Sequence, residues 1–484
     1  MRSSTFGQEG HSHRLDLVWD ELKRIGFIAL PSTATALTGH ARGLISALCL
    51  GLLGPINLAG GSLALAFINV TSQSLLSGLA LGMEPLCTQA AGSNNFLLLY
   101  TTLLRTMALL AIFALVIAPL WLAMKPLALA LGQDSEVATV AAVYCKAALP
   151  TLAAACLGLP MRVYMRCRGW VGAMVWCGAV GVVVHLLLAW ILVFRVGMEL
   201  KGVAVAGWLA EAGVAGLMSV CVERGKSSRV AGLRGGEEGG WKELMRMAVP
   251  SCVGVCLEWW WYELMTLLAG YLYNPKVTLA AAGIIIQTTS LMYTIPVGLS
   301  AAASTRVGNA LGGDRPDRAR IATWVAMSLA VIASLLCLTW TILARKQWAG
   351  LFTNDEEVLE LVMGALPVIG LCEIGNCPQT TACGVLRGSA RPAIGATINL
   401  YSFYLVGTPI GIALAFGFDM GFVGLCYGLL CAQLVCSMSI VLVVLRTDWD
   451  KEALKAKHIV GIDSHESNLE VVEACLKMNR QIKV

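Results

Sequence analysis

The chain has 484 residues, of which 57% are hydrophobic and only 13% charged, and its formal net charge is +5. Water-soluble domains average about 25% charged residues, so this composition excludes a protein that is covered by an ordinary soluble surface. The positive charge is no sign of nucleic-acid binding, since the placement of basic residues is more informative than their excess.

Apolar segments of about twenty residues recur between Ile25 and Leu445. Each can cross a hydrocarbon core about 30 Å thick as a helix, and a bilayer leaves no water to satisfy open strand edges. The sequence therefore predicts an all-α membrane protein with twelve transmembrane helices. The predicted spans are 25–46, 57–80, 99–122, 138–159, 171–194, 203–222, 244–270, 278–300, 321–344, 357–384, 394–416 and 420–445. The first span is the least regular, because Pro31, His40 and Arg42 interrupt it.

Several features of the first half recur in the same order about 220 residues later. This repeat predicts two pseudo-symmetric lobes of six helices, related by an axis along the membrane normal, with a cavity between them. The matched features are Trp19-Asp-Glu-Leu with Trp241-Lys-Glu-Leu, Gln133-Asp-Ser-Glu-Val with Asn354-Asp-Glu-Glu-Val, Arg168-Gly169 with Arg387-Gly388, and Gly197 and Gly207 with Gly417 and Gly428.

Basic residues give the predicted orientation, because Lys and Arg concentrate on the cytosolic side of membrane proteins. With a cytosolic N-terminus, 26 of the 35 Lys and Arg residues fall in cytosolic segments and 6 in outer loops. Both termini are therefore predicted to be cytosolic. The predicted organisation is a cytosolic segment 1–24, a first lobe 25–222, a linker 223–243, a second lobe 244–446 and a cytosolic tail 447–484.

Glu258 is the strongest candidate for function, because an ionisable group inside a span is costly and is a functional hypothesis by default. At helical spacing it shares a face with Trp261, Tyr262 and Met265, which would disfavour the charged carboxylate. Glu258 is therefore predicted to bind and release a proton. The alternative is a packing carboxyl that a neighbouring side chain or backbone group satisfies.

The neighbours of Glu258 are candidates for substrate binding. Trp261 and Tyr262 could offer aromatic faces to an organic cation, although consecutive aromatic residues must point to different sides of one helix. Glu263 lies five residues after Glu258 and nearer the helix end, so a structural or interfacial role competes with direct binding.

The tenth span contains a second polar group around Pro378, which is expected to break the helix and to free backbone carbonyls at membrane depth. Glu373 and Asn376 are predicted to take part in proton coupling, and Gln379 in substrate binding. The alternative is a proline kink that local polar groups stabilise.

In the first lobe, Gly39 occupies the repeat position of Glu258, and the adjacent His40 is a candidate that could titrate near neutral pH. A satisfied buried histidine is the alternative, and His185 and Glu211 are interpreted as packing residues. The arginines near the span ends are interpreted as topology signals or lipid-headgroup contacts: Arg162, Arg166, Arg168, Arg387 and Arg391.

The remaining chemistry is sparse. The seventeen Cys residues lie in apolar stretches without paired metal-ligand spacing, so they are predicted to pack and no metal site is expected. No Walker loop follows a strand, and no soluble segment is large enough for an ATPase domain. Energy is therefore expected from an ion gradient or from the substrate's own gradient, with no cofactor and no catalytic residue.

Five segments together resemble the plant-type multidrug and toxic compound extrusion (MATE) family, also called DETOXIFICATION proteins. The resemblance covers roughly residues 20–446. The segments are Glu84-Pro-Leu-Cys-Thr-Gln-Ala-Ala-Gly92, Ala303-Ser-Thr-Arg-Val-Gly-Asn-Ala-Leu-Gly312, Cys256-Leu-Glu-Trp-Trp-Trp-Tyr-Glu-Leu264, Gly384-Val-Leu-Arg-Gly388 and Tyr404-Leu-Val-Gly-Thr-Pro409.

The resemblance implies an antiporter, not an enzyme, that exchanges protons for organic solutes such as xenobiotics, secondary metabolites or the hormone abscisic acid. It implies a coupling pair of acids in the second lobe, with Glu258 at the position of the seventh-helix acid. Asn376 stands where many members have Asp, and Glu373 lies one turn earlier. The implied partners are a small organic substrate, protons and membrane lipids. The protein is expected to be a monomer in the plasma membrane or in a vacuolar or late endosomal membrane.

Two other function classes compete with this reading. A flippase for lipids or lipid-linked oligosaccharides has a related architecture and would favour a large basic cavity. A scaffold or receptor that transports nothing would have no use for a polar group in the middle of the membrane.

Overall fold

The computed structural model describes residues 3–225 and 240–461, with side chains from Leu15 onward. Every regular element in these ranges is a helix. Most of the predicted linker and the tail beyond Gly461 lie outside the described residues. The described parts therefore confirm the all-α prediction.

Twelve long helical segments, α1 to α12, coincide with the twelve predicted spans, and a further helix, α13, follows them. The bounds are α1 Ser3–Leu52, α2 Pro55–Gly92, α3 Phe96–Leu122, α4 Ser135–Ala148 with Pro150–Cys167, α5 Val171–Arg195, α6 Glu199–Arg224, α7 Gly240–Ala269, α8 Pro275–Gly312, α9 Pro316–Leu343, α10 Glu356–Gly388, α11 Pro392–Gly417, α12 Gly421–Leu445 and α13 Trp449–Val460. The two parts of α4 meet at 53°.

Within the described ranges, nine of these helices are long and apolar enough to cross a membrane, and the bent α4 makes a tenth. The other two, α1 and α7, are also long enough but are more polar. Helix α1 carries His40 and Arg42, and α7 carries Glu258 and Glu263. These two least apolar helices thus both carry candidate functional groups.

The prediction that Pro378 breaks its helix was wrong. Helix α1 continues through Pro31, and α10 continues through Pro378 to Gly388. Proline removes one backbone hydrogen bond, but tertiary packing can hold a helix together across it. Helix α10 has this support, because it packs against α8, α9 and α12.

The two lobes exchange the first halves of α1 and α7. Ile25 and Ala29 of α1 belong to the apolar core of α8–α12, and Ala248 of α7 belongs to the core of α2–α6. Glycines permit these crossings: a Cβ on Gly78 would overlap the Cys252 backbone, and one on Gly298 would overlap α1 at Ala29 and Thr33. Gly78 and Gly298 occupy equivalent positions in the sequence repeat.

Short connections place the ends of the even-numbered helices α2 to α12 on one face of the bundle. We call it the basic face, because it carries Arg168, Arg224, Arg315, Arg391 and Arg446. Helices α2 and α8 touch there through their backbones: a Cβ on Gly92 would overlap Asn309, and one on Gly312 would overlap Gln89. The lobes are therefore in contact at the basic face.

Helix α13 lies on the basic face and touches both lobes. Its buried side is formed by Trp449, Ala453, Ala456 and Val460, and it contacts α2, α8 and α9. The Asn95 amide donates to the Val460 carbonyl over 3.3 Å. The tail thus begins as a helix packed on the protein.

Candidate functional site

A cavity of about 130 Å³ lies among helices of the second lobe and extends from Glu258 to residues of the first lobe. We call it the chamber. Glu258, Tyr293, Thr380 and Arg387 line it from α7, α8 and α10, and Asn399 lines it from α11. Three residues of the first lobe close its end near the basic face: Leu81, Glu84 and Arg166. The chamber therefore spans the lobe boundary.

Glu258 borders this chamber and does not face lipid. Its side chain is buried, with 8% of the residue exposed. The Tyr293 hydroxyl faces its carboxyl group, and the Arg387 guanidinium lies within electrostatic reach. The surroundings of Glu258 are thus more polar than the apolar and aromatic wall that helical spacing had predicted.

Glu373 and Asn376 form one hydrogen-bonded unit. The Asn376 Nδ2 donates to both carboxylate oxygens of Glu373, over 3.1 and 3.0 Å. The Cys377 thiol lies 3.4 Å from one of these oxygens, and the Thr380 hydroxyl donates to Asn376 Oδ1 over 3.3 Å. Among the described residues, the hydrogen bonds to the Glu373 carboxylate therefore come from neutral groups one turn away on the same helix.

Tyr262 links the two carboxyl groups in space, because it lies close enough to both Glu258 and Glu373 to interact electrostatically. Trp261 is differently placed. It is 4% exposed, and its Nε1 donates to the Phe403 carbonyl and the Thr408 hydroxyl, each over 3.1 Å. In this conformation Trp261 packs α7 against α11, and the geometry does not favour a substrate contact.

The other predicted binding residues lie in three different places. Gln379 is fully buried, and its amide has no hydrogen-bond partner among the described residues. His40 is half-buried, on the side of α1 that contacts α8 through Ala29 and Thr33, and therefore faces the space between the lobes. Glu263 is half-buried. The structure thus brings Tyr262, Glu258 and Glu373 together.

Glu84 is a buried acid that sequence reasoning missed. It has no exposed surface, and both carboxylate oxygens are bound by arginines: Arg166 binds Oε1, and Arg387 Nε donates to Oε2 over 2.7 Å. The predicted second span ended at residue 80, so Glu84 was treated as part of a family segment only. The available signal was an acid directly after an apolar run, with arginines near the ends of two other spans.

The first lobe has a separate charged cluster. Glu211 on α6 is paired with Arg42 on α1 and with Arg162 on α4, the latter over 2.6 Å. His185 on α5 lies nearby and is 2% exposed. The interpretation of Glu211 as an ordinary packing residue was therefore incomplete, since it neutralises two arginines.

The interpretation of the arginines as topology signals or lipid contacts was wrong for three of them. Arg162, Arg166 and Arg387 form ion pairs inside the bundle. Arg391 donates to the Thr447 hydroxyl over 2.9 Å. Arg168 stacks over the ring of Phe96, with its guanidinium carbon 4.3 Å from the ring centroid.

Comparisons with known proteins agree with this architecture. The family model described as MatE matches residues 31–191 and 250–413. Protein DETOXIFICATION 55 of Arabidopsis thaliana is 47% identical over 470 residues, with 94% of each chain covered. Protein DETOXIFICATION 49 of the same plant is 45% identical over 443 residues, covering 91% of this chain and 88% of the relative.

Solved structures show the same fold. The crystal structure of the eukaryotic MATE transporter AtDTX14 superposes with a TM-score of 0.87 at 30% identity, covering 92% of this chain and 100% of that chain. An outward-facing multidrug resistance MATE transporter of the MOP superfamily has a TM-score of 0.80 at 16% identity, covering 91% and 96%.

Proposed function

This chain belongs to the multidrug and toxic compound extrusion family, whose members are transporters and not enzymes, and from that premise we propose that it is a proton-coupled antiporter. It exports small organic solutes, such as xenobiotics, secondary metabolites or a hormone like abscisic acid. The two lobes rock against each other and expose the site to each side of the membrane in turn. The proton gradient supplies the energy for transport, and no cofactor takes part.

The observation that supports coupling is a charge imbalance in and beside the chamber. Glu84 and Glu258 line the chamber with Arg166 and Arg387, so those four charges cancel. Glu373, which is joined to the chamber wall through Asn376 and Thr380, adds one more carboxyl group. An uncompensated charge at this depth is unfavourable, so this region is neutral only when one proton is bound.

Glu258 and Glu373 together carry the exchangeable proton in this proposal. The two carboxyl groups lie within electrostatic reach of each other, so the charge on one affects the binding of a proton to the other. Asn376 serves as a neutral donor to Glu373 in place of the second acid found in many relatives. Tyr262, Gln379, Glu263, His40 and Trp261 stay candidates for substrate contact, with Tyr262 the best placed.

The orientation follows from the basic face. We place this face and both termini in the cytosol, because Lys and Arg concentrate on that side of membrane proteins. The lobes then meet at the cytosolic face, and solutes leave from the opposite side of the plasma membrane or a vacuolar or late endosomal membrane. The proposed unit is a monomer of two lobes, 25–222 and 244–446.

A flippase is the less favourable alternative. It would need a large cavity with a basic lining for a phosphate headgroup. The charged lining of the chamber is balanced, with two acids and two arginines, and so does not favour a phosphate headgroup.

The test uses membrane vesicles loaded with a panel of organic solutes and an imposed pH gradient. Glu258→Gln removes the titrating group with little change of shape, so gradient-driven transport should be lost while the protein stays folded. Glu360→Gln is the matched control, because Glu360 is an exposed acid near the start of α10. Unchanged gradient-driven transport in Glu258→Gln would refute the proposed coupling.

A further inference from the structure

Glu84 joins the two lobes through a three-membered charge cluster. Its partner Arg166 comes from α4 of the first lobe, and its partner Arg387 comes from α10 of the second lobe. Both arginines are largely buried, with side chains 9% and 16% exposed. We call Glu84, Arg166 and Arg387 the interlobe gate, because any separation of the lobes at the basic face must break the bond between Glu84 and Arg387.

The backbones of the two lobes approach each other closely at the gate. A Cβ on Gly308 of α8 would overlap Thr88 of α2, which is one turn from Glu84. The Gln89 amide crosses the boundary and donates to the carbonyl of Gly388, next to Arg387, over 3.1 Å. The charged cluster and these backbone contacts must therefore open together.

A chain of hydrogen bonds connects the gate to Glu373. Arg387 Nη2 donates to the Ser300 hydroxyl over 2.8 Å, and Ser300 donates to the Thr380 carbonyl over 2.6 Å. The Thr380 hydroxyl then donates to Asn376, which donates to Glu373. A displacement of Arg387 therefore changes contacts along the whole path to the second carboxyl group.

Arg387 also has an alternative partner in Glu258. Both residues line the chamber, and they lie within electrostatic reach of each other. In the closed state Arg387 is bonded to Glu84. When the lobes part it loses Glu84, and Glu258 can replace that partner only as a charged carboxylate.

Other titratable groups around Glu258 come from four helices. They are Tyr262 of α7, Tyr293 of α8, Glu373, Cys383 and Arg387 of α10, and Cys436 of α12. Arg387 is the one cation in this set, so it is the group whose movement most changes the charge balance at Glu258.

We propose that Arg387 is a positioning residue that exchanges partners, from Glu84 when the basic face is closed to Glu258 when it opens. The proposal rests on the proton coupling proposed above. The proton on Glu258 passes to water on the basic-face side as the gate opens, and the resulting carboxylate pairs with Arg387. By linkage, a neutral Glu258 favours the closed gate and a charged Glu258 favours the open one.

Hydrogen–deuterium exchange of segments 84–92 and 304–312 measures gate opening without substrate or transport. At one mildly alkaline pH, Glu258→Gln imitates the protonated state and should slow exchange of both segments by about fivefold relative to the parent protein. Glu84→Gln should speed exchange of both segments. In the Glu84→Gln background, the added substitution Glu258→Gln should no longer slow this exchange. Glu360→Gln should leave exchange unchanged.

The gate is refuted if Glu258→Gln leaves exchange unchanged, or slows it equally with and without Glu84. If Glu84→Gln does not fold, Arg387→Lys replaces it in the test. This substitution keeps the charge but loses the two-point contact with Glu84 and Ser300. The slowing of exchange by Glu258→Gln should then be smaller in the Arg387→Lys protein than in the parent protein. An undiminished slowing there also refutes the gate. If Glu258→Gln loses transport but its hydrogen–deuterium exchange is unchanged, the proposed proton coupling stands and only the gate is rejected. If Glu258→Gln retains gradient-driven transport, the proton coupling itself is rejected.

Discussion

The two lobes share one helical scaffold but hold their buried acids in different ways. In the first lobe, Glu211 is paired with two arginines from other helices, Arg42 and Arg162. In the second lobe, Glu373 accepts hydrogen bonds from the neutral Asn376 and Cys377. A carboxylate between two cations stays charged, whereas one among neutral donors is free to exchange a proton with its surroundings. The comparison assigns a fixed charge to the first lobe and a variable charge to the second.

The repeat explains how this asymmetry arose without a change of fold. Gly39 stands at the position equivalent to Glu258, so the first lobe has no acid there. Arg42 lies three residues further on and points to Glu211 instead. We therefore predict that a few side chains separate a lobe of fixed charge from one of variable charge, and substitutions can test this.

Glu211→Gln should have the largest effect. It leaves Arg42 and Arg162 without their carboxylate, and breaking a buried ion pair in this way costs about 3–5 kcal/mol. Thermal unfolding in detergent micelles should show a large drop in the midpoint at all pH values. A midpoint equal to that of the parent protein would mean that the first-lobe cluster is not a structural ion pair.

Asn376→Asp should have the next largest effect. It places a second carboxyl group about one hydrogen-bond length from Glu373, in the space where Asn376 now donates. With both groups charged the loss should be about 1–3 kcal/mol, and it should shrink as the pH falls, because a bound proton removes the repulsion. Unfolding midpoints measured across a pH series check this, and a loss of stability that does not vary with pH would contradict the variable charge.

Trp261→Phe should have a smaller effect. It removes the indole bonds to the Phe403 carbonyl and the Thr408 hydroxyl, which should lower the free energy of unfolding by about 1 kcal/mol. If Trp261 only packs α7 against α11, the substrate KM should not change. A large rise in KM without loss of stability would restore Trp261 as a substrate contact.

Glu373→Gln should have the smallest effect on stability, below about 1 kcal/mol, because an amide fits the same neutral surroundings. It should nevertheless lower the number of protons that the purified protein takes up between alkaline and acidic buffer. Proton uptake measured with a pH indicator checks this result. Full proton uptake in Glu373→Gln, with Glu258 intact, would leave Glu258 as the sole coupling group.

The sequence predicted the helices because each span is a long apolar segment, and their positions needed little else. It failed where tertiary packing decides the outcome. Helix α10 continues through Pro378 because α8, α9 and α12 surround it. The sequence also located Glu258, Glu373 and Asn376, since polar groups inside apolar spans are conspicuous.

Glu84 was harder to find, because its burial depends on residues far away in the sequence. It lies just beyond the predicted second span, where an acid would normally be solvated. Its partners Arg166 and Arg387 are 82 and 303 residues distant. No local pattern records such a contact, so the interlobe gate became visible only when the helices were placed together.

Infrared difference spectroscopy between acidic and alkaline buffer tests the central claim most directly, because a protonated buried carboxyl group has its own carbonyl band. The parent protein should gain this band in acid, and the Glu258→Gln, Glu373→Gln double variant should not. The single variant Glu211→Gln should keep it, provided that enough folded protein is recovered. A band that persists in the double variant would show that the exchangeable proton lies elsewhere in the protein.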